Sequence, residues 1–401
     1  MSSSDTLRQK LDRLQGQAFA VGFVGLILWA AFGAAAGHRE GLAGWQQFYR
    51  SYLFAYVYWV AIPLGCTGIL MLHHLTHGRW GFAIRRIVEA GSRTLAWMAA
   101  LFTPIVVGMQ KMYAWARPED VQADSILQQK RWYLNPAGFT ARAVIYFVVL
   151  LTVVYLLNRY SRQQDQTANP ALPHRMAVVS GPGMVLWGLI VTGAAVDWVM
   201  SLEPHWHSTI YGMLFMVIEG LAAMSVSVFV LRKLSGSEPF KEAIDSKQFH
   251  DLGNLMLALV MLWAYLSFDQ LLIVWAGNLK DEIPWYMQRA FGAWAPVGVT
   301  LLLLHFAVPF LLLLQRTVKR RLNALSKVAA LLIVLTLVDI YWIVVPAYQG
   351  NTPRPHLLDL CAVIGIGGIW LGAFLMELKR FPLLPLHDPR FEGALEPSHG
   401  D

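Results

Sequence analysis

The sequence predicts an all-α, polytopic membrane protein of about ten transmembrane helices. Three observations predict it. Hydrophobic residues make up 56% of the 401-residue chain and charged residues only 14%, whereas soluble domains carry about a quarter charged residues. The apolar residues come in long runs, and a helix needs about 20 of them to cross a hydrocarbon core about 30 Å thick. The basic residues gather in alternate loops between those runs, as topology signals do.

Taken in order, the first five spans are expected near Ala18–Ala36, Ser51–Leu75, Thr94–Met112, Phe139–Asn158 and Met176–Met200. The second five are expected near Ser208–Leu231, Gly253–Ala276, Ala293–Leu314, Val328–Pro346 and Leu357–Leu378. Residues 1–17 precede them as a cytoplasmic, amphipathic lead-in, the ten-helix domain occupies 18–378, and 379–401 form a cytoplasmic tail. One set of segments comprises both termini and the 2–3, 4–5, 6–7 and 8–9 loops. It carries about three times as many Lys and Arg as the other loops, with Arg316, Lys319, Arg320, Arg321 and Lys327 as its densest block. Both termini are therefore expected inside, which an even number of spans permits. Trp and Tyr at span ends fit an interfacial belt.

Composition excludes several functions. The net charge of +7 would suit nucleic acid in a soluble chain, but here the basic residues belong to membrane loops. Cys66 and Cys361 lie inside expected spans and form no CxxC or CxxCH motif, so no signature for an iron–sulfur cluster or c-type haem is present. The N-terminus lacks a signal-peptide cleavage pattern. No nucleophile motif, phosphate loop or zinc spacing occurs, and no catalytic residue is assigned. Gly181-Pro182-Gly183 reads as a kink or close-packing point in the fifth span. His73 and His74 read as interfacial, and with His305 they make no two-histidine haem set at one depth. Arg142 reads as a snorkelling side chain near the end of the fourth span.

Charge inside the membrane costs at least about 2.5–3.5 kcal/mol per residue at the bilayer centre, so such residues face inward and mark function or polar packing. Spans six to nine each contribute one: Glu219, Asp269, His305 and Asp339. Asp197 of the fifth span lies near the outer surface, followed by Glu203, His205 and His207 in the loop. Asp197, Glu203, His205, Glu219, Asp269, His305 and Asp339 are the candidate proton-pathway residues, because carboxylates and imidazole exchange protons. A structural polar network and an ion or substrate site stay open beside the relay.

Spans two to five and six to nine also look related. Val196-Asp197-Trp198 reaches Pro204 seven residues after its Asp, and Val338-Asp339-Ile340 reaches Pro346 at the same interval. A parallel repeat would give two four-helix bundles, about 51–200 and 208–346, flanked by spans one and ten. Chance similarity between apolar segments is the alternative.

Three segments carry a family resemblance. DWVMSLEPHWHSTIYG (Asp197 to Gly212) resembles the outer turn of the NrfD-like membrane subunits. FDQLLIVWAGNLKDEIPWYMQR (Phe268 to Arg289) resembles the seventh-span motif of their relatives in bacterial alternative complex III, departing from it at a tyrosine and a Pro-Glu. PLLPLHDPR (Pro382 to Arg390) resembles the tail of the ActF-type subunit, and length and span number also match. The resemblance implies a subunit of a quinol:electron-acceptor oxidoreductase in the bacterial cytoplasmic membrane. It implies no cofactor in this chain, with c-type haems and iron–sulfur clusters on partner subunits and quinol oxidised by an NrfD-like partner. A terminal oxidase is a further candidate partner, alongside lipid. The third span as expected, Thr94–Met112, holds no His or acidic residue. That departs from the quinol-oxidising relatives and turns the expectation toward proton conduction in the second bundle. A quinol-binding anchor subunit, an independent secondary transporter and a purely structural scaffold are the other readings.

Overall fold

The computed structural model describes residues 3–236, 246–350, 352–385 and 388. Those residues form no strand, and ten helices are long and apolar enough to cross a membrane. They are α1 (Leu7–Glu40), α2 (Leu42–Thr76), α3 (Arg79–Val107), α4 (Pro136–Thr167), α5 (Leu172–Leu202), α6 (Tyr211–Leu234), α7 (Ser246–Gly277), α8 (Gly292–Leu314), α9 (Leu322–Val344) and α10 (Leu357–Leu378). The chain is an all-α, multi-pass membrane protein.

The helices pack as two groups. Helices α2, α3, α4 and α5 pack together, as do α6, α7, α8 and α9, and α2 lies against α6 where the groups meet. That contact is close: a Cβ on Gly65 would lie 1.9 Å from the Glu219 carbonyl oxygen. Glycine lets the two backbones approach, the usual device of membrane helix pairs. Helices α1 and α10 form a pair of their own through Gly22 and Gly25 against Gly365 and Gly368, where an added Cβ would meet backbone at 2.4–2.8 Å. In α5, Gly183 instead leaves room for a side chain, the Met71 sulfur of α2, which an added Cβ would meet at 2.8 Å.

Alternate crossing puts both ends of the array on one face. Lys379, just past α10, pairs with Asp12 near the start of α1. On this terminus face the structure departs from the sequence reading. The third helix starts at Arg79, fifteen residues before the expected Thr94, and carries Arg85, Arg86, Glu89 and Arg93 inward. Their charges are paired. Glu89 takes Arg85 at 3.0 Å and Arg86 at 2.7 Å, and the Ser161 hydroxyl donates to it at 2.7 Å. Arg86 also pairs with Asp165 of α4, Arg85 with Asp388 at 2.7 Å, and Arg93 with Glu377 of α10 at 2.9 Å. A segment with four arginines reads as a loop until its partners, on other helices, are in place. The third span therefore does contain an acidic residue, Glu89, but at the terminus face. His73 and His74 are buried there too, His73 edge-on to Phe82 at 5.1 Å. They face the protein interior, because the early start of α3 covers them.

The opposite face carries structured loops. Short helices Pro118–Ala123 and Ser125–Lys130 join α3 to α4, and Ile283–Ala290 joins α7 to α8. Lys130 donates to the Pro204 carbonyl at 2.6 Å, tying the 3–4 and 5–6 loops together.

Candidate functional site

The candidate residues fall into separate groups. In the first bundle, Asp197 is fully buried on α5, in a π-helical turn over Ala195–Val199. The Arg142 guanidinium of α4 donates to both its carboxylate oxygens, at 2.9 and 2.8 Å, and the Tyr146 hydroxyl donates at 2.9 Å. Arg142 also lies 3.8 Å from the Tyr133 ring centroid. Arg142 therefore does not snorkel; the Asp197 carboxylate holds it inward. A bidentate Arg–carboxylate pair is the strongest arrangement open to these side chains.

In the second bundle, Asp339 of α9 is buried at 2% exposure, and the Trp263 indole of α7 donates to its Oδ2 at 2.9 Å. No cation pairs with it among the described residues. The Trp263 ring also packs against His305 of α8, whose ring centroid lies 4.5 Å away. His305 is buried, and neither ring nitrogen has a hydrogen-bond partner among the described residues. It too sits in a π-helical turn, Leu301–Ala307. Such turns add one residue to the helical period and re-aim a side chain, and they recur at functional sites. His305, Trp263 and Asp339 thus form one contiguous set across three helices.

A cavity of about 600 Å³ adjoins this set, between α7, α8, α9, the start of α6 and the loop helix Ile283–Ala290. Its lining is mainly apolar and aromatic, with Asp339, Trp263, Ser267 and Gln270 among the polar contributors. Arg289 of the loop helix also lines it, fully buried. Its guanidinium pairs with Glu203 at 2.7 Å, donates to the carbonyls of Trp342 and Ile343 at 3.3 and 3.0 Å, and stacks 4.0 Å over Trp285. Glu203 is thereby fixed over the loop-face end of the second bundle.

The remaining candidates stand apart. Glu219 is buried on α6, and its Oε2 has no hydrogen-bond partner among the described residues. Asp269 is half-buried on α7, outside the cavity although Phe268 and Gln270 line it. His205 is exposed and pairs with Asp124 at 2.6 Å, and His207 is exposed 3.6 Å from Glu282. The structure thus brings Asp339 and His305 together. It places Asp197, Glu203 and His205 in three different loop-face pairs, and among the described residues Glu219 and Asp269 join none of these groups.

Sequence reasoning missed Trp263, Trp342, Arg289 and the Glu89 cluster. No local signal marks them: a Trp in an apolar run reads as packing, and an Arg beside aromatics reads as an interfacial residue. Asp124 was legible in principle. An Asp ahead of Ser125-Ile126-Leu127 is a helix N-cap, and its side chain accepts from Ile126 and Leu127 N–H at 2.8 and 3.4 Å. Among the described residues, no three His, Cys, Asp or Glu side chains converge as a metal ion would require. The chain matches no family model and no curated protein.

Proposed function

We propose that this chain is an integral subunit of a respiratory quinol:electron-acceptor oxidoreductase of the alternative complex III type, and that its second bundle carries protons linked to quinol oxidation. The family assignment rests on the three sequence segments quoted above. The observation that carries the proton reading is the His305–Trp263–Asp339 set: two titratable side chains on separate helices, buried, with no compensating charge among the described residues. A group kept only for packing would be expected to have its hydrogen bonds filled. Ionisable groups left underused inside a membrane are the usual carriers of protons. Glu203, fixed by Arg289, would mark where the pathway meets the loop face. In this reading the protein sits in the bacterial cytoplasmic membrane with both termini in the cytoplasm. Iron–sulfur and c-haem subunits would supply the redox centres, and an NrfD-like partner would oxidise quinol.

Purification through a tag on this chain, in mild detergent, tests the reading. Haem-staining and iron–sulfur subunits that co-purify with quinol oxidation activity are expected. Recovery of the chain alone in functional form would overturn it. Proton release per electron, measured in proteoliposomes of the purified complex, then tests the second bundle. Asp339→Asn is expected to lower that ratio, and an unchanged ratio would remove the proton role.

A further inference from the structure

We propose that the cavity between α7, α8 and α9 binds the ring of a lipid-soluble hydroquinone, with one ring hydroxyl donating to the free carboxylate oxygen of Asp339. The redox class of this ligand rests on the respiratory reading above; the site itself rests on geometry.

Size and lining come first. Ligand pockets run to about 300–1,000 Å³, are mostly apolar, and hold a few placed polar groups. This one is about 600 Å³. Its walls include Trp285, Tyr286 and Phe306, flat faces suited to a flat ring. Its access is from the side. Phe268 and Leu271 of α7 and Val299 and Leu302 of α8 line the cavity and are also exposed on the outside of the helix array, where the acyl chains would lie. A ligand with an apolar tail can therefore enter from the bilayer and leave its tail between α7 and α8.

The polar end selects among such ligands. Asp339 gives Oδ2 to Trp263 and takes no other hydrogen bond from a described residue, so an acceptor oxygen is left for a hydroxyl. Trp342 Nε1 is buried without a partner, and the cavity-lining Gly298 lies beside it, a Cβ there falling 3.5 Å from that nitrogen. One acceptor and one donor thus border the same space, and a ring bearing hydroxyl groups satisfies both. A phospholipid does not fit this end. Among the described residues, the one guanidinium lining the cavity is that of Arg289, which is engaged by Glu203 and backbone carbonyls, so a phosphate would meet Asp339 with no free cation from them.

The test is photolabelling of the intact purified protein, with whatever subunits accompany it, by an azido-hydroquinone carrying a decyl tail. Labelled peptides would be mapped by mass spectrometry, with decylubiquinol as competitor. Label on α7 and α8 residues around Phe268 and Leu302, removed by competitor, is expected. Gly298→Phe, which adds a ring from a cavity-lining position where a Cβ meets nothing closer than 3.5 Å, is expected to cut that labelling about tenfold. Asp339→Asn offers an amide N–H in place of an acceptor, so its competition profile is expected to shift from the hydroquinone toward the quinone. That reversal would not follow from general loosening of the fold. Label placed elsewhere, or unaffected by competitor and by both variants, would overturn the site. So would phospholipid as the only molecule displaced by Gly298→Phe. Redox subunits co-purifying with an unlabelled cavity would sink this site and leave the respiratory reading standing. A labelled cavity in a chain that purifies alone would do the reverse.

Discussion

Asp197 and Asp339 stand at the same depth in the two bundles, each five residues before the loop-face end of its span, at Leu202 and Val344. At the helical rise that is about 7–8 Å below the helix end. Their surroundings differ. Asp197 has a guanidinium on both oxygens and a tyrosine hydroxyl besides. Asp339 has a single indole N–H and a cavity. The sequence treats them alike, since each follows a Val and precedes a Pro by seven residues. What separates them is supplied by other helices: Arg142 of α4 in one case, Trp263 of α7 in the other. A saturated carboxylate holds structure together, whereas one with a free oxygen is available for chemistry.

The largest effect should come from breaking the saturated site. Arg142→Ala would strand the Asp197 charge, and removing one partner of a buried pair costs about 3–5 kcal/mol. Arg142 is partly exposed, with 20% of its side chain accessible, so the lower end of that range is expected. Thermal unfolding in detergent should show a clear loss of stability, and adding Asp197→Asn should restore much of it. If Arg142→Ala unfolds like the parent, the two aspartates do not differ as described. Asp339→Asn is the converse. The amide can still accept from Trp263, so the unfolding midpoint should stay close to the parent's. Proton-coupled turnover should fall roughly 100-fold, the usual worth of a positioned proton-transfer group. A large stability loss with normal turnover would make Asp339 a packing residue.

How far this contrast could be read in advance follows from where each partner lies along the chain. The ten spans were legible because a run of about 20 apolar residues needs no partner to declare itself. The start of α3 was not, because Arg85, Arg86 and Arg93 become membrane-compatible only when Asp165, Glu377 and Asp388 close on them. Asp197 and Asp339 were picked out by charge and depth. That one would be paired and the other not depended on Arg142, 55 residues from its aspartate, and on Trp263, 76 residues from its own. The cavity was invisible for the same reason, since its walls come from five elements and its lining residues read singly as lipid-facing or core.

Trp263→Phe sharpens the comparison from the unsaturated side. It removes the one donor to Asp339 among the described residues while keeping a ring against His305. Leaving a buried acceptor unmet costs about 1–3 kcal/mol. The loss should be smaller than that of Arg142→Ala in the same unfolding assay. If it is larger, the indole contributes more than a hydrogen bond, and Trp263 rather than Asp339 is the structural centre of the second bundle.

The smallest effect should appear at Asp124, on the loop face, where it pairs with His205 of the 5–6 loop. Desolvation would raise its pKa, but the Ile126 and Leu127 N–H groups and His205 outweigh this and hold it below the usual aspartate value of 3.8. A carboxylate depressed on folding contributes its stability above its ordinary pKa and loses it as pH falls through the folded value. Hydrogen exchange of the Ser125–Lys130 helix should therefore quicken below about pH 4, while the helices around Asp339 stay protected. Asp124→Asn retains an N-cap oxygen but not the charge, so its exchange should be flatter with pH. If the same acid range loosens the α7–α9 cavity as well, the loop pair is coupled to the second bundle. The loop face would then act as one unit across both aspartate sites.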